Sequence, residues 1–301
     1  MESSSVLITG ASGFVGKYLT EELQNHGIWN RIIGVDKDTI DITDPKTYTS
    51  IISSEQPAWI VHLAAVSSVG FSLEHPDITQ KVNVDGTRML LEHTRELSPH
   101  TKFLMISSAD IYGHVDEKPL TEKPLHECEP ANPYAQSKLE MEKLIEETYD
   151  EYCIRVRPFP HIGPGQQRGF VTADFASQII AIERGQQEPV MLVGNLDAIR
   201  DFTDVRDVVR AYRLLMEAGE LGNVYHVASG VGTSIKTILD QLLEKSSLPI
   251  TISQDESRMR PSDNPVMIGN ATKLKIKTNW QQEISLSQSL DDILSYWRNK
   301  E

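Results

Sequence analysis

The chain has 301 residues, 39% of them hydrophobic, enough for a full core in one large domain or two coupled ones. Its net charge of −14 repels phosphate backbones, so no nucleic-acid partner is expected. No apolar run approaches the ~20 residues of a membrane span, residues 1–5 are too short and polar for a signal peptide, and Cys128 and Cys153 suit a reducing compartment without making a metal set, so a cytoplasmic protein with no membrane partner and no metal is expected.

In chain order, short Val/Ile-rich runs over residues 6–9, 31–35, 58–63, 102–107 and 152–156 read as buried strands. Helical patterns over 13–25, 45–53, 76–97 and 133–150 separate them. This alternation predicts an α/β fold, a Rossmann-type doubly wound parallel sheet whose ligands bind beyond the carboxyl ends of the strands. After about residue 160 the elements shorten and Pro and Gly become frequent. Residues 1–160 are therefore expected to form a dinucleotide-binding domain. Residues 161–301 are expected to form mainly a smaller C-terminal α/β substrate-binding lobe, with segments near 201–228 returning to the main sheet.

The first strand runs into Gly10-Ala11-Ser12-Gly13-Phe14-Val15-Gly16 and then a helix. Glycines 10, 13 and 16 permit a tight turn and close approach of a pyrophosphate to the N–H groups and positive dipole end of that helix. Alone the motif is an ordinary glycine turn; its strand-to-helix setting favours a dinucleotide. Asp36 ends the second strand, about 20 residues on, where a carboxylate can bind the ribose hydroxyls of NAD and repel the 2′-phosphate of NADP. Lys37 softens that preference, and a solvated turn aspartate is the plainer alternative. The cofactor is thus expected to be NAD(P)H, with NAD favoured. Asp41-Ile42 can flank an adenine, and Leu63, Ala64 and Ala65 let the backbone come close to the cofactor, although an alanine pair is often only packing.

Asn132-Pro133 suits a helix start, which puts Tyr134 and Lys138 four apart on one face. A neighbouring ammonium is expected to lower a phenol from about 10 by ~1–3 units, into range for proton transfer near neutrality. The fourth strand ends at Ser107-Ser108, where a hydroxyl can meet a substrate oxygen facing the tyrosine or simply satisfy nearby backbone.

These residues carry a resemblance that runs from end to end. The glycine loop, His62-Leu63-Ala64-Ala65, Asn83 in Val82-Asn83-Val84-Asp85-Gly86-Thr87, Ser108 with Tyr112-Gly113, and Tyr134-x-x-x-Lys138 are similar to the extended short-chain dehydrogenase/reductase family. The resemblance implies that Ser108, Tyr134 and Lys138 are catalytic. It puts Asn83 beside the cofactor, supporting the loop beneath it. The helices over 76–97 and 133–150 would pair into a homodimer.

Between residues 157 and 265 the chain resembles the bacterial GDP-4-keto-6-deoxymannose reductases. The matching stretches include His161-Ile162-Gly163-Pro164-Gly165-Gln166, Val193-Gly194-Asn195-Leu196, Arg200-Asp201-Phe202-Thr203-Asp204-Val205-Arg206-Asp207 and Arg260-Pro261. The partner implied is a nucleotide-diphosphate sugar, its diphosphate clamped by Arg200 and Arg260, with Asp110 on a sugar hydroxyl. Pro160 replaces the usual substrate-contacting asparagine, a role His161 is expected to assume. The reaction implied is reduction of the 4-keto group of GDP-4-dehydro-6-deoxy-D-mannose to GDP-D-rhamnose. A 4,6-dehydratase is the alternative, but Ala109 stands where such enzymes need an acid or a hydroxyl. A 4-epimerase and a non-catalytic dinucleotide sensor are the others; sensors commonly lose the tyrosine or lysine retained here.

Overall fold

A computed structural model describes residues 5–116, 119–259 and 264–300. The first half runs β1 (Ser5–Thr9), α1 (Phe14–His26), β2 (Arg31–Val35), α2 (Thr49–Glu55), β3 (Trp59–His62), α3 (Val69–Glu74), α4 (Pro76–Gln80), α5 (Thr87–Leu97), β4 (Lys102–Ile106), α6 (Pro133–Thr148) and β5 (Cys153–Pro158). The second runs β6 (His161–Ile162), α7 (Val171–Glu183), β7 (Val190–Val193), β8 (Ile199–Asp201), β9 (Thr203–Asp204), α8 (Val205–Ala218), β10 (Val224–Val227), β11 (Gly232–Ser234), α9 (Ile235–Leu243), β12 (Thr251–Gln254), β13 (Val266–Met267), α10 (Thr272–Thr278) and α11 (Leu286–Asn299). Among the described residues no helix is long and apolar enough to cross a membrane, and both cysteines are buried free thiols.

Six strands form one parallel sheet in the order β10-β5-β4-β3-β1-β2. Strand side chains alternate between faces, and here both alternations are apolar. Val6, Ile8, Val61, Leu104 and Ile154 meet Leu19 and Leu23 of α1 and Val208 and Leu215 of α8. Leu7, Ile60, Phe103 and Met105 meet Leu90 and Leu91 of α5 and Met141 and Ile145 of α6. The chain leaves β1 for β2 on one side and returns to β3 on the other, which opens a crevice at the carboxyl edge.

A second core joins Phe175, Ile179, Ile238, Leu242, Leu290, Ile293 and Trp297. The acidic residues of the 200–207 motif knit this half together. Asp201 accepts hydrogen bonds from the backbone N–H groups of Ser229, Gly230 and Gly269 (2.9, 2.9 and 3.1 Å). Asp204 caps α8 through Arg206 N (2.9 Å), and Asp207 holds the N–H groups of Glu283 and Ile284.

Two of the expected helices are interrupted. The 45–53 pattern divides into a 3-10 turn, Pro45–Thr47, capped by Asp44, and α2. The 76–97 pattern contains a π-helical segment, Lys81–Gly86, between α4 and α5. Such a widened turn pushes a residue out of α-helical register and is frequent at functional sites.

Candidate active site

Three strand ends converge on the glycine loop. The N–H groups of Gly10 and Ala11 both donate to Val35 O (2.8 and 3.1 Å). Gly10 has φ +75°, and a side-chain carbon there would lie 3.0 Å from Ala64 N. The same carbon on Gly16 would lie 2.3 Å from Gly10 O. Gly13 starts α1 with no side-chain cap, so that helix presents its first N–H groups to whatever occupies the loop. This concave, glycine-walled cradle fits a dinucleotide pyrophosphate.

The Asp36 carboxylate accepts the Asp38 N–H (3.0 Å), and this bond first, with the nearby Ser12 hydroxyl second, holds it below the usual carboxylate range. Asp41 turns to the N–H and hydroxyl of Thr43 (both 2.8 Å), which likewise lower its pKa. The Ile42 side chain is buried under Gly86, so it belongs to the core and does not line an open surface.

Behind the loop lies a hydrogen-bond chain whose directions can be assigned. Thr87 donates to Asn83 O (2.7 Å), so the contact of Thr87 with His62 Nε2 (3.0 Å) must have the ring as donor. His62 Nδ1 then accepts from Thr9 (2.8 Å), whose oxygen accepts the Ala64 N–H (3.2 Å). This requires a neutral imidazole; burial first, and the Lys138 charge second, push its pKa down to about 3. Asn83, on the π-helical segment, accepts from Val66 N (2.8 Å) and donates to Val66 O (3.0 Å) and to Ser137 Oγ (2.9 Å). Ser137 donates to Tyr134 O (2.7 Å). Asn83 thus supports the loop that follows β3 and ties it to α6.

Asn132 caps α6 by accepting the Ala135 N–H (2.9 Å), with Pro133 in the first turn. The cap places the buried Tyr134 and Lys138 on the inward face. Ser108 ends the stretch after β4 and caps the 3-10 turn Ala109–Tyr112 through Asp110 N (3.1 Å). Its side chain also faces the Tyr134 phenol and pulls that phenol's pKa down.

One electrostatic expectation is corrected. The Tyr134 phenol is raised, by burial and then by the Asp110 charge, and the Ser108 bond offsets this only partly. Lys138 is not among the groups that lower it; its ammonium donates to Ile106 O (2.7 Å). Burial instead lowers Lys138 itself to about 8, against an upward pull from Glu142.

His161 is half-buried, with Nδ1 3.3 Å from Phe159 O, and burial lowers its pKa. Its ring lies parallel to Phe14 (centroids 6.3 Å apart, 2° between planes), so the loop that follows β5 rests on the start of α1. Tyr18 of α1 adds a bond to Pro164 O (2.9 Å). Phe14 therefore faces His161, and both Phe14 and Val15 pack against the core below. Arg200 sits half-buried on β8, its Nη1 donating to Ile199 O (2.9 Å). Arg260 and Pro261 lie outside the described residues.

Sequence reasoning missed the buried Glu142–Arg157 pair (Nη2 to Oε2, 2.8 Å), one helical turn beyond Lys138. The available signal was a glutamate four residues after Lys138 and an arginine inside an apolar strand.

The sequence profile of the GDP-mannose 4,6 dehydratase family matches residues 34–293. A GDP-6-deoxy-D-mannose reductase from Pseudomonas aeruginosa is 37% identical over 98% of this chain and 97% of its own. A GDP-6-deoxy-D-talose 4-dehydrogenase from Aggregatibacter actinomycetemcomitans is 33% identical over 89% of each. The solved structure of RMD from Pseudomonas aeruginosa complexed with NADPH superposes with a TM-score of 0.85 at 35% identity, covering 98% of both chains. The chain belongs to the GDP-mannose 4,6-dehydratase family of extended short-chain dehydrogenases/reductases.

Proposed function

We propose that this protein is an NAD(P)H-dependent oxidoreductase that reduces the 4-keto group of a GDP-linked 4-keto-6-deoxy sugar, with GDP-4-dehydro-6-deoxy-D-mannose as substrate and GDP-D-rhamnose as product. The observation that carries the reading is the buried Ser108–Tyr134 hydroxyl pair, with Lys138 one turn away, at the carboxyl edge of a parallel sheet. The similarity to a GDP-6-deoxy-D-mannose reductase supports the substrate class.

A bound nicotinamide in its reduced form supplies the hydride. Tyr134 gives its proton to the oxygen that was the ketone, while Ser108 donates a hydrogen bond to that oxygen and stabilises its developing charge. A phenol raised by burial is fully protonated at neutral pH, the state a proton donor needs. Lys138, still ammonium near neutrality, would hold the ribose hydroxyls of the bound cofactor. Asp110, His161, Arg200 and Arg260 are assigned to the sugar and diphosphate. The dehydratase reading is less favoured because Ala109, buried and aliphatic, cannot protonate a leaving hydroxyl. In this reading the homodimer forms on the α4–α6 face, where Leu73 and Ile78 stand exposed beside it.

Incubation with GDP-4-dehydro-6-deoxy-D-mannose and NADH or NADPH tests the reading. A reductase oxidises one cofactor per sugar reduced. A dehydratase consumes GDP-mannose with no net cofactor oxidation, and a sensor binds without turnover; either outcome rejects the proposal.

Asp36 is ionised and lies against Ser12 of the glycine loop, which supports NAD over NADP. Asp36→Ala should shift the NADH-to-NADPH affinity ratio toward NADPH by about tenfold, ~1.4 kcal/mol. Fluorescence titration with both cofactors measures it, and an unchanged ratio rejects Asp36 as the discriminator.

Lys138 also sets a pH limit. Its folded pKa of about 8 lies below the ordinary 10.5, so the ammonium is lost as pH rises through about 8. The corresponding cost of burying the charge is fully present below that pH and is relieved above it. Turnover should therefore decline on the alkaline side with a midpoint near 8. Lys138→Arg, slower overall, should show no such limb because its guanidinium does not titrate there. A limb at the same pH in that variant assigns it to another group.

A further inference from the structure

Charged groups in a protein interior are a poor source of stability, because desolvation offsets much of their attraction. Arg157 and Glu142 are nevertheless 1% and 0% exposed. The guanidinium is oriented in a defined way. Nε and Nη2 fork onto the Glu142 carboxylate (2.9 and 2.8 Å), and Nη1 donates to Tyr112 Oη and to Lys123 O (2.7 Å each). The Tyr112 oxygen also meets His226 Nε2 (2.5 Å), the donor there being set by the ring tautomer. Glu142 lies on α6, four residues after Lys138. Tyr112 ends the 3-10 turn that begins at Ser108. One side chain on β5 thus grips both pieces that carry the reacting hydroxyls, each about one turn from its catalytic residue.

We infer that Arg157, with Glu142 and Tyr112, is a positioning clamp that fixes the Ser108 turn against the Tyr134–Lys138 helix and so sets the geometry of proton delivery. The clamp rests on the reading of those three residues given above. A planar fork holds two partners at fixed angles, which a lysine cannot do. Removing one partner leaves the fold largely built but lets the Ser108 turn drift. Displacement on the scale of an ångström at reacting atoms slows chemistry by up to ~10²-fold.

Tyr112→Phe removes only the hydroxyl and keeps the ring. The expected result is a kcat lower by about tenfold or more, with KM and the NADPH Kd within about twofold and near-ultraviolet circular dichroism retained. The isotope effect with 4-deuterated NADPH should rise as chemistry becomes limiting. Glu142→Gln, which breaks the fork from the other side, should show the same split, and Arg157→Lys should not rescue it. Wild-type kcat in folded Tyr112→Phe overturns the clamp. So does a parallel loss of kcat, cofactor affinity and ordered spectrum in both variants, which is the signature of a merely structural role. Tyr134→Phe assayed alongside separates the levels: if it still turns over, the catalytic reading itself fails and takes the clamp with it.

Discussion

Replacing Tyr134 by phenylalanine is expected to lower kcat by about 10² to 10⁴ while the NADPH Kd stays within about twofold of wild type, since a positioned general acid contributes in that range. The residue is buried on the inward face of α6, so the change deletes one oxygen and leaves the ring packing in place. Ser108 keeps its own bond to Asp110 N, and the turn it caps is preserved. The loss should therefore fall on the chemical step. Single-turnover oxidation of bound NADPH measures that step directly; wild-type speed would exclude Tyr134 as the proton donor.

Gly16→Ala should have the second-largest effect. The added methyl would stand 2.3 Å from Gly10 O and 2.7 Å from Ala11 Cα, both main-chain atoms that no rotamer change can relieve. Overpacking of this kind typically costs ~1–3 kcal/mol, and here the strain falls on the cradle itself. NADPH affinity should drop by at least about tenfold. Gly13→Ala, whose nearest contact is 3.1 Å, should lose less than Gly16→Ala. Isothermal titration of both variants tests that order, and unaltered affinity in Gly16→Ala would show that the dinucleotide does not use this loop.

The central sheet was legible because its strands are apolar on both faces and its helices announce their ends. Residues 31–35 were read with the boundaries found, and the Asn132 cap and Pro133 were visible in the sequence. The π-helical segment was not, because a widened turn shifts periodicity by too little to separate from an ordinary amphipathic helix. Strands such as β6, β9 and β13 have two residues each and show no period at all. At the candidate site, the electrostatics were not readable. The direction of the Tyr134 shift depends first on its burial and then on Asp110 facing the phenol. The Arg157–Glu142 pair depends on which faces of β5 and α6 meet. Such facts are set by tertiary packing, which linear spacing does not encode.

The bare start of α1 has a consequence for anyone seeking a sturdier variant. The extended backbone at Gly13 (φ −69°, ψ 172°) is one a serine or aspartate can adopt, with the added carbon 3.1 Å from Gly10 O, and a side-chain cap in place of glycine ordinarily adds only roughly a few tenths of a kcal/mol. That oxygen would take the very amides an incoming phosphate needs. In the proposed reading, a substitution that caps this helix would therefore trade ligand affinity for a small gain in stability.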